Sequence, residues 1–367
     1  MNQKIVVRKI QFNEEKEIWK VAKTLSILER YYFYYLTYKP YSVNALVAIY
    51  ENSIVGCITP HIKTHSGEKI GIIGGIFVDC TVQGKGVGKA LANAALSHFQ
   101  KEGCKINYVL VDRFNSPSWN MFLHKGFTPF EFNEQIKVYG WKTIPLWEVN
   151  GYLWEMGCFI LRKTDKENQA TKEIWEGWHL SLAWISFSFI ILLMNVRIGN
   201  PLFNYIPFIL SVVGVSILAH ELSHKFIAHI LGLKTVFKIW ESGLVLSVLL
   251  ALFGITVPFY GSSFIKQKDW SYNKNIKKMG LIYSIGPIIS LILASLFLGL
   301  THWSNISWIV TLGTIGFHVN FIIVLFNLIP TFPFNMFDGK KIFLWNKIGW
   351  ILLVMWFILL FAIVKFL

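Results

Sequence analysis

Ala219-His220-Glu221-Leu222-Ser223-His224 lies inside an apolar run spanning about residues 201–232. On a helix, side chains four residues apart project from one face, so His220 and His224 can present two imidazoles to one zinc ion. Glu221 stands beside them, placed to take a proton from water rather than to ligate the metal. Crossing hydrocarbon takes about 20 apolar residues, and an ionisable side chain within such a run marks a functional site by default. Here His220, Glu221 and His224 fall together at metal-ligand spacing. The competing reading, two hydrogen-bonded histidines and a chance glutamate in a helix bundle, leaves a buried carboxylate without compensation for its desolvation.

Around this run the 367-residue chain, 54% hydrophobic on average, divides into two unlike halves. Residues 1–165 have the polar and charged content of a soluble α/β domain, residues 166–176 form a charged linker, and residues 177–367 read as a polytopic helical membrane domain. Residues 1–39 are too polar for a signal peptide, so none is expected. Cys57, Cys80, Cys104 and Cys158 are scattered without CxxC spacing, which suits a reducing compartment rather than a disulfide framework or a cysteine zinc site. The formal net charge of +14 suits lysines in the cytoplasmic loops of a membrane protein. With no basic helix interleaved with aromatics, nucleic acid is not an expected partner; the lipid bilayer is.

Spans are expected at about residues 178–198, 202–232, 279–300, 305–330 and 342–366. Residues 242–260 are apolar enough to cross, yet Gly254, Pro258 and Gly261 break the run near its end. Charge favours re-entry. Arg162, Lys163, Lys166 and Lys172 precede the first span and keep the N-terminal domain cytoplasmic. If residues 242–260 enter and return, then Lys266, Lys268, Lys274, Lys277 and Lys278 also lie inside, whereas a single crossing would export them. The expected architecture is therefore about five spans plus a re-entrant segment in a multi-pass cell-membrane protein.

A catalytic zinc needs three protein ligands and one open position. The candidate third ligand is Asp338, within Asn327-Leu328-Ile329-Pro330-Thr331-Phe332-Pro333-Phe334-Asn335-Met336-Phe337-Asp338-Gly339. Under the re-entrant topology the preceding span runs inward and delivers Asp338 to the side where His224 lies. Pro330 and Pro333 end the helix, giving irregular backbone of the kind tolerated at membrane depth beside a water-filled cavity. His229 lies nearly opposite His220 on the helical wheel, and His302 and His318 have no partner at ligand spacing, so all three read as structural.

HExxH in one span and Asn-x-x-Pro…Asp-Gly two spans later resemble the site-2 protease family of intramembrane zinc metalloproteases. Ser284-Ile285-Gly286-Pro287, in the span between, is similar to a Gly-Pro of that family. The resemblance covers about residues 175–350. It implies zinc on His220, His224 and Asp338, Glu221 as general base and acid, and Asn327 beside the site. The interval from Pro330 to Asp338 is about three residues longer than the usual family spacing. The implied substrate is a membrane-spanning protein, cut within or near its transmembrane segment.

In the first half, strand signals fall at residues 5–10, 45–50, 53–61, 70–80, 107–112 and 156–163, with helical signals at 14–36 and 90–100. A hairpin is expected at Glu51-Asn52. The strand at 70–80 runs into Gln83-Gly84-Lys85-Gly86-Val87-Gly88-Lys89, and a strand feeding a glycine-rich turn that opens a helix can cradle phosphate with backbone N–H groups. With the preceding Val78-Asp79-Cys80-Thr81-Val82, this run resembles the coenzyme-A loop of the GNAT acetyltransferase superfamily. Asn115-Ser116-Pro117-Ser118-Trp119-Asn120-Met121-Phe122-Leu123-His124-Lys125-Gly126-Phe127 is similar to that family's second motif. The resemblance covers about residues 4–163 and implies a mixed sheet that binds acetyl-CoA. Amides around Val82–Val87 would hold the pyrophosphate, main-chain groups of Ile76 and Val78 would flank the pantetheine arm, and Asn115 would touch the cofactor. One position departs: where many members carry a tyrosine as general acid, this chain has Phe122, which has no proton to donate. Asp79, Glu131 and Glu134 are unassigned candidate bases.

The sequence thus points to an intramembrane zinc peptidase fused to an acyl-CoA-binding domain that regulates it or recruits its substrate. Two alternatives come from other classes: a membrane-anchored N-acetyltransferase, and a non-catalytic membrane sensor.

Overall fold

The seven strands of the first sheet follow from short β-branched runs separated by turn residues. They are Val6–Lys9 (β1), Leu46–Tyr50 (β2), Ser53–His65 (β3), Glu68–Val78 (β4), Ile106–Asp112 (β5), Thr128–Pro129 (β6) and Cys158–Thr164 (β7), in the order β1-β2-β3-β4-β5-β7-β6. The computed structural model describes residues 5–24, 27–164, 175–197, 202–266, 272–331 and 334–366. By its contacts the chain divides into two units, Met1–Asp112 with Ser118–Lys172, and Arg113–Pro117 with Glu173–Leu367. The expected linker, apart from residues 175 and 176, lies outside the described residues.

In the first unit Glu51 and Asn52 take φ of 51° and 61°, and Tyr50 pairs with Ser53, closing a two-residue hairpin. Positive φ at both central residues matches the right-handed strand twist. β4 and β5 run parallel, so a crossover must join them. It is the helix Val87–Lys101, whose Val87, Leu91, Ala92, Ala95 and Phe99 are buried at helical spacing against Ile58, Ile73, Val109 and Leu161 of the sheet. Burying each large apolar side chain of this kind stabilises the fold by about 1.5–3 kcal/mol.

Ahead of that crossover, Glu15–Val21 (α1) and Ile27–Tyr31 (α2) precede a π-helical stretch at Tyr32–Tyr38. The expected single helical region at 14–36 is broken because near-consecutive aromatics offer no single 3.6-residue stripe. Trp19 packs edge-on to both Tyr31 and Tyr34, and the widened turns bury Tyr38 completely. The crossover helix is α3. Beyond β5 come Ser116–Leu123 (α4), Phe132–Tyr139 (α5) and Thr143–Asn150 (α6). Buried Gln135 ties α5 to α6. Its side-chain Nε2 donates to Phe130 O at 2.6 Å and its Oε1 accepts from Trp147 Nε1 at 2.7 Å, while its main-chain carbonyl accepts from Thr143 Oγ1 at 3.1 Å.

The second unit contains the helices Glu176–Arg197 (α7), Leu202–Ile230 (α8), Glu241–Leu252 (α9), Tyr272–Trp303 (α10), Ser307–Asn327 (α11), Asp338–Trp345 (α12) and Lys347–Phe366 (α13). Five of them, α7, α8, α10, α11 and α13, are long and apolar enough to cross a membrane. The last span starts later than the expected residue 342. Asn346 breaks the helix there and its Oδ1 accepts from Gly349 N at 3.0 Å, capping α13 as asparagine commonly does.

Residues 242–260 do not form a spanning helix. α9 has 12 residues, about 18 Å of helix, and the chain turns at Gly254 with φ of 87°. The strands flanking it, Thr235–Lys238 (β8) and Ser262–Ile265 (β9), pair antiparallel with Lys238 opposite Ser262. The segment leaves from and returns to one two-stranded sheet, the geometry of an enter-and-return element. α10 packs against α8, α11 and α12.

Candidate functional site

His220 and His224 project from one face of α8, and Asp338 is the first residue of α12, where a carboxylate also benefits from the helix N-terminus. All three are nearly fully buried, at 2%, 1% and 2% exposure. Asp338 Oδ2 lies 3.2 Å from His220 Nε2 and 3.3 Å from His224 Nε2. A tetrahedral zinc with bonds of about 2.0–2.1 Å sets its ligand atoms about 3.3 Å apart. The two measured edges match that tetrahedron, and one ligand atom from each residue lies within 4.8 Å of the others.

The far sides of both rings are also held. His224 Nδ1 donates to Ile282 O at 2.7 Å, which leaves Nε2 with its lone pair. His220 Nδ1 pairs with Ser290 Oγ at 3.0 Å. Such outer bonds fix ring orientation and tautomer in metal sites. Gly286 lets α10 approach this closely: a Cβ there would stand 2.5 Å from His224 Cε1 and 2.7 Å from His220 Nε2. Donor chemistry, separations and outer bonds all fit zinc.

Glu221 is 3% exposed, and its Oε2 accepts from Ser263 N at 3.1 Å and Ser263 Oγ at 2.7 Å. Asn327 ends α11, with Nδ2 donating to Ile323 O at 3.0 Å and Oδ1 3.5 Å from Asp338 N, so it meets the backbone that carries the acid. Lys341, fully buried one turn into α12, donates to Met336 O and Phe337 O at 2.7 and 2.9 Å and pins the loop ahead of Asp338. His229, His302 and His318 are exposed and join no metal-competent group among the described residues.

Sequence reasoning missed Ser263, Ser290, Ile282 O and Lys341. Ser290 sits one helical turn after Gly286, so a polar residue on the glycine face was a usable signal. Ser263 had none, because only the β8–β9 pairing brings it to Glu221.

In the first unit Gln83, Gly84, Lys85 and Gly86 are exposed, with φ of 82° at Gly84 and 88° at Gly86, which is the N-cap of α3. Val87 is buried in the core, Gly88 is half-buried, and Lys89 is exposed. β4 pairs with β5 only from Ile70↔Ile106 to Ile73↔Val109, while β5 continues with β7 as far as Asp112↔Cys158. Ile76 and Val78 pair with Ile58 and Gly56 of β3 on their other edge. Their β5-facing edge has no strand partner among the described residues, and the opening lies beside the glycine loop. Asn115 falls within Arg113–Pro117, the segment that clusters with the second unit, where the Arg113 guanidinium donates to Lys238 O and Ile239 O at 3.4 and 3.1 Å.

Phe122 is wholly buried in the sheet core, edge-on to Phe127, so the position lacks both a proton and access to solvent. Of the candidate bases, Asp79 accepts from Thr81 N and Oγ1 at 2.9 and 2.8 Å, and these bonds hold its carboxyl below the usual range. Glu134 is paired with Arg162.

Residues 12–127 match the acetyltransferase (GNAT) family. A protein of Methanocaldococcus jannaschii named "Putative zinc metalloprotease MJ0611" is 34% identical over 157 residues, 41% of this chain and 77% of that protein. Similar solved structures include the NatC complex bound to Gag peptide and CoA, at 20% identity over 44% of this chain and 99% of that one, with a TM-score of 0.33. Another is the PaiA N-acetyltransferase of Thermoplasma acidophilum in complex with coenzyme A, at 15% identity over 44% and 99% of the two chains, with a TM-score of 0.31. At the identity and coverage of the M. jannaschii relative, the chain belongs to the family of that protein, and it carries an acetyltransferase (GNAT) domain in its N-terminal part.

Proposed function

We propose that the second unit is an intramembrane zinc peptidase of the site-2 protease type, hydrolysing peptide bonds in or near transmembrane segments of membrane proteins. The observation that carries this reading is the buried His220–His224–Asp338 cluster beside Glu221, within a unit whose helices are long and apolar enough to cross a membrane. Zinc held by the three side chains supplies a Lewis acid that polarises the scissile carbonyl. Glu221, adjacent in sequence to His220, takes a proton from the attacking water and delivers it to the departing amine. Water oxygen thus bonds to the carbonyl carbon, the C–N bond breaks, and the carboxylate is restored. Asn327 and Lys341 hold the backbone around Asp338 in register for that geometry. A substrate helix must unwind locally, because hydrogen-bonded helical peptide groups are not accessible to attack.

The first unit, in this reading, binds acetyl-CoA through the glycine loop and the open edge at Ile76 and Val78, and it lies on the cytoplasmic side. The GNAT match favours a second reading, a membrane-anchored N-acetyltransferase. The two separate cleanly. Detergent-purified protein incubated with single-span membrane proteins should yield cleavage products by mass spectrometry, and Glu221→Gln should abolish them. Acetyl transfer that persists in Glu221→Gln, with no cleavage by the unaltered protein, would favour the transferase instead. If acetyl-CoA changes neither cleavage rate nor thermal stability, the regulatory role fails.

A further inference from the structure

Ser263 holds Glu221 from two sides at once. Its N–H and its hydroxyl both donate to the same carboxylate oxygen, Oε2, at 3.1 and 2.7 Å. The serine is itself fully buried and fixed independently of the glutamate. It pairs with Phe237 in the β8–β9 ladder, and its carbonyl accepts from Tyr283 OH at 2.9 Å. The Tyr283 ring also lies against the His224 ring, at a centroid distance of 5.2 Å. One tyrosine therefore touches both the strand that holds the glutamate and a histidine of the metal cluster.

We infer that Ser263 is a positioning residue for Glu221, an inference that rests on the peptidase reading. A glutamate side chain has three rotatable bonds, and a proton shuttle must keep its working oxygen within hydrogen-bond reach of the reacting water. Two donors on Oε2 fix the carboxylate plane and leave Oε1 as the oxygen that exchanges protons. Hydrogen bonds to an ionised carboxylate are the stronger kind, so losing the hydroxyl loosens the group substantially. The backbone N–H survives any substitution, so the carboxylate stays nearby but is free to swing. The Ser263 hydroxyl donates to Glu221, and the serine contributes no atom to the metal cluster of His220, His224 and Asp338.

The test uses the full chain in detergent with a transmembrane peptide that the unaltered protein cleaves and Glu221→Gln does not. Ser263→Ala should keep its zinc and a KM within about twofold, while kcat falls about 10- to 100-fold, the scale of a 1 Å misplacement. Ser263→Thr, which restores the hydroxyl, should recover kcat to within a few-fold. An unchanged kcat in Ser263→Ala overturns the inference. So does a change confined to KM, zinc lost together with activity, or a kcat that stays low in Ser263→Thr. Absence of cleavage by the unaltered protein, or cleavage undiminished in Glu221→Gln, overturns the peptidase reading and this inference with it.

Discussion

At residues 83–86 the chain turns through two left-handed glycines in full exposure, whereas at residues 220–224 a helix buries two histidines whose rings are engaged on both sides. The loop offers backbone N–H groups, so its chemistry depends on main-chain conformation and little on side-chain identity. The helix offers side chains at fixed separations, so its chemistry depends on neighbours several elements away, such as Ile282, Ser290 and Asp338. A backbone site is written locally and tolerates change around it. A side-chain site in a packed interior is distributed, and small intrusions should disable it.

The largest expected effect breaks the distributed site with a single methyl group. In Gly286→Ala the new Cβ would stand 2.5–2.7 Å from atoms of both histidine rings, well inside contact distance. The rings must move, and zinc affinity should fall by more than about 100-fold, beyond the 10- to 100-fold seen for outer-shell changes. Competition with a zinc chelator measures it. The corresponding change in the loop should be mild. Gly86→Ala meets nothing within 4 Å, so the whole cost is the left-handed φ of 88°, about 1–2 kcal/mol. Acetyl-CoA affinity by calorimetry should drop about 5- to 30-fold, while Gln83→Ala should change it far less.

The smallest effect lies at the edge of the first sheet and separates surface electrostatics from both sites. Arg8 donates to Glu14 at 2.8 Å, and this bond lowers the Glu14 pKa to about 2. The unfolded carboxyl titrates near about 4.3. Because the folded pKa is the lower one, the unfolded chain binds the proton first as pH falls. The pair therefore stabilises fully above the unfolded value, and its contribution is lost between there and about 2. Amide hydrogen exchange in Val6–Lys9 should be slower than in Glu14→Gln at pH 6, and the difference should shrink towards pH 2–3, the range set by that pKa.

Much of this comparison is legible in the sequence, for reasons that follow from range. The His220–His224 pairing and the left-handed glycines are local, fixed by helical period and by φ, and the Glu51-Asn52 turn is local in the same way. Asp338 required topology: only a return of residues 242–260 to the starting side puts α12 near α8, and charge asymmetry indicated that return. Where the sequence was silent, the interaction is long-range or side-chain specific. Nothing local says that Gln135 will bridge α5 to Trp147, or that Ser263 will reach Glu221 across the β8–β9 pair. At 342–346 apolar continuity hid a break that Asn346 makes with its own side chain. Phe122 was legible as chemistry, since phenylalanine has no proton to give, but not as placement in the core.

The most direct test of the central claim is the zinc content of detergent-purified protein, compared with His220→Ala and Asp338→Asn by elemental analysis. The account predicts about one zinc per chain, the number one three-ligand site holds, and loss in both variants. Zinc retained in Asp338→Asn, or absent from the unaltered protein, would contradict it.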